Sequence, residues 1–291
     1  MPNVEENDLL LKLNQSYKSL SKGQKQLANY IMENYDRAAF ITASKMGRIV
    51  GVSESTVVRF AYALGYDGYP ELQKSLQELI RNKLTSVQRI QLTSELKQDD
   101  VLKSVLKADM ANIRATIDSI DNAAFSDSIN ALLNAERVYI IGVRSAAPLA
   151  QFLAYYLNFV LDNVITVNMI VSDAYESMVR ISANDVCVGI SFPRYSRRTI
   201  EALSFAKSRG AQLIAITDSV FSPLAELADH ALIARSDMAS FADSLAAPLS
   251  LINAIIVATS LQRKDEVFER FSQLENIWGR QNVYITKENG K

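Results

Sequence analysis

The sequence predicts two units of different class, an all-α head joined to an α/β body built on a parallel sheet. In the head, Thr42 to Tyr66 reads TASKMGRIVGVSESTVVRFAYALGY and repeats apolar residues at three-to-four spacing on both sides of a glycine turn. Residues 85–98 are polar, with Thr, Ser, Gln and Lys and few large apolar groups, and read as a linker. From Phe125 onward, short β-branched runs alternate with helical stretches, the pattern of strands joined by helical crossovers.

Taken in order, residues 8–20 suit a leading helix with Leu9, Leu10, Leu13 and Tyr17 inward. Ser21 then caps a helix over Lys22 to Tyr35, in which Leu27, Ile31 and Met32 share a face that Tyr35 and Phe40 close. Gly47 is small enough to let two helices approach, and Gly51 fits a turn after a helix ending at Val50. Ser53 caps the next helix by accepting from the amide of Ser55 or Thr56. Met46, Ile49, Val50, Val52, Val57, Phe60, Ala61 and Leu64 form a shared apolar seam, which turns Glu54, Ser55, Thr56, Val58, Arg59 and Tyr62 outward. A helix pair of this spacing presents its second helix to a DNA major groove. Ser53, Glu54, Ser55, Thr56 and Arg59 are the candidate DNA contacts, with Arg59 foremost because a guanidinium can grip a guanine edge or a phosphate. Gly65 to Pro70 breaks the pattern, and Glu71 to Leu84 resumes it.

The run GVSESTVVRFAYALGYDGYPELQKSL resembles the N-terminal domain of the RpiR (MurR/RpiR) family of bacterial transcriptional regulators, which join a helix-turn-helix to a C-terminal SIS, or sugar isomerase, domain. The resemblance implies a sugar-phosphate-binding fold in the rest of the chain. The expected division is a helix-turn-helix domain over 1–84, a linker and connecting helix over 85–120, the SIS domain over 121–280 and a tail over 281–291.

Composition agrees with such a division. The chain has 291 residues, enough for two domains, and 48% are hydrophobic. Its net charge is −1, but residues 1–90 carry 12 Lys and Arg against 9 Asp and Glu, whereas the remainder carries 19 against 23. A mildly basic head on an acidic body suits a DNA reader better than a general polyanion binder. Cys187, the single cysteine, lies in the apolar run VCVGIS and reads as a buried structural thiol. The N-terminus lacks a signal-peptide pattern, and the most apolar segment, Leu245 to Leu261, contains Pro248, Ser250, Asn253 and Thr259 and reads as a buried helix. A soluble cytoplasmic protein without a membrane span is the expectation.

Asp99 to Ile120 is a long helical pattern whose stripe, Val101, Leu102, Val105, Leu106, Met110, Ile113 and Ile117, must be covered by the body or by a second copy. Strands are predicted at Arg137 to Gly142, Val164 to Asn168, Asp185 to Ser191, Gln212 to Thr217 and His230 to Ala234. Helices are predicted at Ala146 to Val160, Ala174 to Ile181, Arg197 to Ser208, Pro223 to Leu227, Asp243 to Gln262 and Asp265 to Trp278. These make a five-stranded parallel sheet in a three-layer αβα arrangement.

Ligands of such sheets sit beyond the carboxyl ends of the strands, where helix N-termini offer free amides. Two of those ends carry suitable chemistry. Gly142, Arg144 and Ser145 follow the first strand, and Ser191, Arg194 and Ser196 follow the third. Hydroxyls, amides and arginines there can bind a phosphate or carboxylate. The arrangement is similar to the SIS domain, in which a Gly-x-x-x-Ser turn and a Ser-x-Ser-Gly-x-Thr loop hold the sugar phosphate. Gly142 and Ser145 match the turn with the serine one residue early, and Ser191 and Ser196 match the outer loop positions. Pro193 and Arg194 replace the inner Ser and Gly, so the phosphate cradle is altered, and Arg194, Arg197 and Arg198 can restore anion affinity. Thr217-Asp218-Ser219 also fits the family, and Ser222-Pro223 is a local helix start.

An isomerase needs a base beside the carbonyl-bearing carbons. His230, the sole histidine, starts the last strand away from these loops, and Asp173 and Glu176 are equally explained as acids of a first helical turn. The residues also show no metal-ligand cluster and call for no cofactor. The reading is therefore a regulator, not an enzyme, that binds a double-stranded operator as a homodimer or homotetramer and senses a sugar phosphate or sugar acid. The alternative is a sugar-phosphate isomerase-like enzyme with a helical appendage.

Overall fold

The computed structural model describes residues 9, 12–13, 16–34, 38–39, 41–83, 87, 90, 100–167, 173–238 and 242–285. Contacts divide the chain into residues 1–92 and 93–291. The expected linker lies almost wholly outside the described residues, as do Leu10, Tyr35, Phe40 and Asn168.

In the first unit, α1 (Lys22–Glu33), α2 (Ala43–Val50), α3 (Glu54–Ala63) and α4 (Tyr69–Lys83) follow one another. Leu9, Leu13, Leu27 and Ile31 are buried, but Met32, placed on the inner face by its spacing, is 38% exposed. Met32 flanks the Leu27–Ile31 line by one residue, or about 100° of helix, and falls at its rim. Thr42 caps α2 by accepting from the Lys45 amide at 3.2 Å. Ala39 and Ile41 are fastened to α4, whose Tyr69 hydroxyl and Gln73 amide both donate to the Ile41 carbonyl at 2.6 and 2.9 Å, while Gln77 donates to that of Ala39 at 3.0 Å. Burial pushes the Tyr69 phenol up to about 12, with Tyr30 adding to it, so the hydroxyl remains a donor throughout the neutral range.

In the second unit, α5 (Val101–Ser119) and α6 (Asn122–Asn134) precede a five-stranded sheet. Its strands are β1 (Val138–Gly142), β2 (Val164–Thr166), β3 (Val186–Ile190), β4 (Gln212–Thr217) and β5 (His230–Ile233), all parallel, in the order β2-β1-β3-β4-β5. Between them run α7 (Ala147–Leu157), α8 (Ala174–Ser177), α9 (Arg197–Ser208) and α10 (Pro223–Leu227), and α11 (Ala246–Gln262) and α12 (Lys264–Gln281) follow. Alternation along each strand feeds two cores. Ile140, Val188, Ile214 and Leu232 pack with Leu132 of α6, Leu153 of α7 and Ile252 of α11. Tyr139, Ile141, Cys187 and Leu213 pack on the opposite face with Ala174, Leu203 and Leu224 from α8, α9 and α10. This is the expected three-layer arrangement. Complete burial pushes the Cys187 thiol up to about 12, so it remains protonated and apolar in the core. Among the described residues, no helix is long and apolar enough to cross a membrane.

Of the two covers expected for the stripe of the connecting helix, the body does not supply one to most of it. The residues of α5 that are buried are polar, Asn112 and Thr116, while Leu102, Leu106, Met110 and Ile117 are 54 to 72% exposed. The Asn112 side chain donates to the Asp237 carbonyl at 3.0 Å and accepts from the Asp237 amide at 3.1 Å. Thr116 accepts from the Arg235 amide at 2.9 Å and donates to the Asn112 carbonyl at 2.8 Å. These bonds satisfy backbone groups just beyond β5 that burial would otherwise leave unpaired.

Candidate functional site

The turn between α2 and α3 sets the geometry of the first site. Gly51 ends α2 at φ 80°, in the left-handed region, and its amide donates to the Gly47 carbonyl at 2.8 Å. Val52 donates to the same carbonyl at 2.9 Å, which places the start of α3 directly against Gly47. Met46, Val57, Phe60, Ala61 and Leu64 are fully or nearly fully buried between the helices. Val50 and Val52 are half-buried, and Ile49 is 49% exposed, outside the seam to which its spacing assigned it. An eight-residue helix has room for one buried line, and Met46, Gly47 and Val50 occupy it.

Of the outward residues, Ser53, Glu54, Ser55, Arg59 and Tyr62 are exposed, and Thr56 and Val58 are half-buried. The Ser53 hydroxyl accepts from the Thr56 amide at 3.3 Å and lies 3.0 Å from the Ser55 hydroxyl and 2.8 Å from that of Thr56. Ser53 thus serves as a cap and gathers three hydroxyls at the helix start. Arg59 Nε donates to the Ser55 carbonyl at 3.3 Å, so its guanidinium lies back along α3 toward that start. Lys45 and Arg48 are exposed on α2. Sequence reasoning left these two cations out because it looked only along the second helix.

The second site is a cavity of about 680 Å³ in the body. Its walls come from the loops after β1 and β3, with Thr166 at the end of β2 and Gln151 on α7. In the order β2-β1-β3-β4-β5 the chain leaves β1 and β3 in opposite directions, and the crevice between their carboxyl ends is where a ligand is accommodated. Gly142 closes β1 tightly: a Cβ there would stand 2.8 Å from the Ala146 carbonyl oxygen and 3.0 Å from the Ala150 Cβ. Arg144 and Arg194, in the two loops, both adopt left-handed backbone at φ 57° and 65°. Such a conformation costs a residue with a Cβ about 1–2 kcal/mol and is kept only where surrounding structure enforces it.

Gly142, Arg144, Arg194 and Ser196 line this cavity, as do Val143, Tyr195, Arg197 and Arg198. Ser145 is exposed on the 3-10 turn Arg144–Ala146 and is not among the lining residues. Ser191 is buried, and its Oγ accepts from the Ser196 amide at 3.1 Å, bracing the loop from within. Ser196 stands at the N-cap of α9 without a side-chain capping bond, so its hydroxyl does not cover the first amides of that helix. The Tyr195 hydroxyl donates to Oδ1 of the buried Asp218 at 2.8 Å and ties the β3 loop to the end of β4.

Thr166 and Tyr195 line the cavity but were not among the residues singled out from the sequence. Thr166 could have been found by applying the carboxyl-end rule to every strand, whereas the bond from Tyr195 spans 23 residues and has no local signal. Glu176 is exposed and does not line the cavity, nor, among the described residues, does Asp173 or any other carboxylate. His230 lies at the opposite edge of the sheet, its ring 2.8 Å from the Gln212 side chain.

Comparison with known proteins agrees with both halves of this description. Residues 7–83 match the model of the helix-turn-helix domain, rpiR family, and residues 131–258 that of the SIS domain. An HTH-type transcriptional regulator of Haemophilus influenzae is 27% identical over 236 residues, covering 79% of this chain and 81% of that protein. The HTH-type transcriptional regulator HexR of Pseudomonas aeruginosa is 25% identical over 228 residues, 75% of each chain. Both relatives are transcriptional regulators of the helix-turn-helix type. The sugar isomerase domain of an RpiR transcription factor from Sphaerobacter thermophilus shares the fold with a TM-score of 0.59 at 24% identity, over 61% of this chain and 99% of that one. The Vibrio vulnificus NanR protein, complexed with ManNAc-6P, shares it with a TM-score of 0.57 at 22% identity, over 94% and 98%.

Proposed function

This chain belongs to the rpiR family of helix-turn-helix transcriptional regulators that carry a SIS domain, and from that premise we propose that a sugar phosphate or related sugar acid, bound between β1 and β3, alters its binding to an operator. The observation that carries the effector half is the cavity at the topological switch, where Arg144, Arg194 and Ser196 meet uncapped amides of α9. The similarly folded NanR was solved with a sugar phosphate, which supports the same class of effector. Genes of carbohydrate metabolism are the natural targets of such a sensor. Residues 1–84 form the reading domain in this proposal, 85–120 the connection, 121–280 the sensor and 281–291 a tail.

On the reading helix, Ser55, Thr56 and Arg59 face the bases, Ser53 and Glu54 stand at its entry, and Lys45 and Arg48 meet phosphates. Titration of the full chain against genomic duplex fragments, with and without sugar phosphates and sugar acids, tests both halves. Salt-dependent binding that one compound shifts is the expected result, and absence of selective binding under every condition would sink the proposal. Arg59→Ala is expected to cost about 1–3 kcal/mol at one base position if the side chain reads guanine, or to lower the salt slope by about one if it holds a phosphate. Unchanged affinity and slope would remove Arg59 from the interface.

Two half-sites call for two heads. The helix that follows the linker, α5, leaves Leu102, Leu106, Met110 and Ile117 exposed, and we assign this face to a second copy of the chain. Met110→Asp is expected to shift the protein toward monomer in analytical ultracentrifugation and to weaken operator binding at least tenfold. An unchanged sedimentation coefficient would move the interface elsewhere.

A further inference from the structure

The outward line of α3 does not end at Arg59. Val57, Phe60 and Leu64 are buried on the inner side of the helix. At about 100° of turn per residue Tyr62 lies roughly 140–160° from each of them, about 20° from the line of Ser55 and about 60° from that of Arg59. It is 58% exposed, and among the described residues its hydroxyl has no hydrogen-bond partner.

Its position along the axis matters as much as its direction. Tyr62 stands seven residues after Ser55. That is a rise of about 10 Å, and a major groove is about 12 Å wide. A reading helix that offers its N-terminal residues to base edges carries residues two turns further on to the sugar-phosphate wall. This end of α3 holds no cation, and from Phe60 to Gly65 the sequence reads FAYALG, so Tyr62 supplies the only side-chain donor there. A Cβ at Gly68 would stand 3.8 Å from the Tyr62 hydroxyl, which places the phenol beside the turn between α3 and α4, outside the buried seam.

We propose that the Tyr62 phenol donates to a phosphate oxygen at the far wall of the groove and holds that end of α3 against the duplex. The proposal rests on the DNA reading of α3 and adds to it a positioning contact that carries no charge. Tyrosine hydroxyls are among the groups that bond DNA phosphates. The salt dependence of binding counts the phosphates neutralised by Lys and Arg, and a neutral donor adds nothing to that count. Tyr62 therefore contributes affinity that added salt does not remove, in contrast to Lys45 and Arg48, the cations exposed on α2.

Fluorescence anisotropy of the full chain on three short duplexes, one alternating A·T, one alternating G·C and one of mixed sequence, over a series of salt concentrations tests it. Tyr62→Phe keeps the ring and removes the hydroxyl. It is expected to weaken binding to all three by about tenfold, with the slope against log salt and the melting temperature unchanged. Tyr62→Lys is expected to recover most of that affinity at low salt and to steepen the slope by about 0.9, a change that a role confined to the fold of the head would not produce. Wild-type affinity in Tyr62→Phe would overturn the proposal. So would a loss that differs severalfold among the duplexes, which marks a base contact, or a slope that Tyr62→Lys leaves unaltered. The DNA reading stands in each of those cases, whereas failure of the unaltered chain to bind any duplex at any salt concentration overturns both.

Discussion

Gly47→Ala is expected to abolish operator binding while leaving ligand binding in the body intact. Two effects oppose each other. In the interior of α2 alanine is favoured over glycine by about 0.8–1 kcal/mol. Against that, the added Cβ would stand 2.7 Å from the Val52 carbonyl oxygen and 3.4 Å from the Glu54 amide nitrogen. Both are backbone atoms of the turn into α3, which cannot rotate aside as a side-chain tip would. Overpacking of this kind costs about 1–3 kcal/mol, so the clash prevails. It is relieved by displacing the start of α3, the part that carries Ser53, Ser55 and Thr56. Duplex affinity by fluorescence anisotropy, read beside the thermal unfolding of the full chain, checks this. Wild-type affinity in the Gly47→Ala protein would show that the reading helix tolerates the shift and that the close approach is not a requirement for binding.

Arg194→Gly is expected to act in two directions, leaving the melting temperature equal or higher and lowering effector affinity about tenfold. At φ 65° the arginine occupies a conformation that glycine adopts without a Cβ penalty. Relief of about 1–2 kcal/mol is opposed by roughly 0.4–1 kcal/mol for the greater freedom of glycine in the unfolded chain. The net change is therefore neutral to stabilising. Arg194→Ala retains the Cβ and should lose the affinity without the gain in stability, so comparison of the two separates backbone strain from charge. A glycine variant that melts several degrees lower would mean that the guanidinium itself holds the loop together.

What could be read in the sequence followed how locally each feature is encoded. The strands, the turn at Gly51 and the cap at Ser53 depend on residues within a few positions of one another, and the structure has them where spacing placed them, strand ends agreeing to within one residue except that β2 stops at Thr166, two short of the expected Asn168. Helix α6 had no predicted bounds of its own. Its sequence, NAAFSDSINALLN, mixes Asn, Ser and Asp with alanine, so its buried line through Ile129 and Leu132 gives a weak periodic signal. The polar seat of α5 was not foreseen because hydrophobic periodicity assumes that buried residues are apolar, whereas Asn112 and Thr116 are buried by hydrogen bonding. Ile49 and Met32 show the coarser fault of the same rule, which counts every apolar residue near a face as part of it. In the body, the two loops stood out through their serines and arginines. The left-handed backbone at Arg144 and Arg194 did not, because no residue type other than glycine or asparagine announces a positive φ. Nor did sequence separate Ser191, which braces its own loop, from Ser196, which faces the cavity.

The amide and hydroxyl bonds of α5 bear on how motion passes through the second unit. Apolar helix faces resting on one another can slip by fractions of a turn at little cost, because dispersion contacts are numerous and undirected. Asn112 and Thr116 instead bond individual backbone atoms of Arg235 and Asp237, and those bonds tolerate little change of length or angle. The helix is therefore keyed to the chain that leaves β5, like a shaft fixed to its wheel by a pin. Sliding or spinning is blocked unless the bonds break, and tilting together with the sheet edge is the freedom left to it. A displacement that reached β5 would be delivered to the start of α5 as a change of direction, enlarged in proportion to the length of the helix.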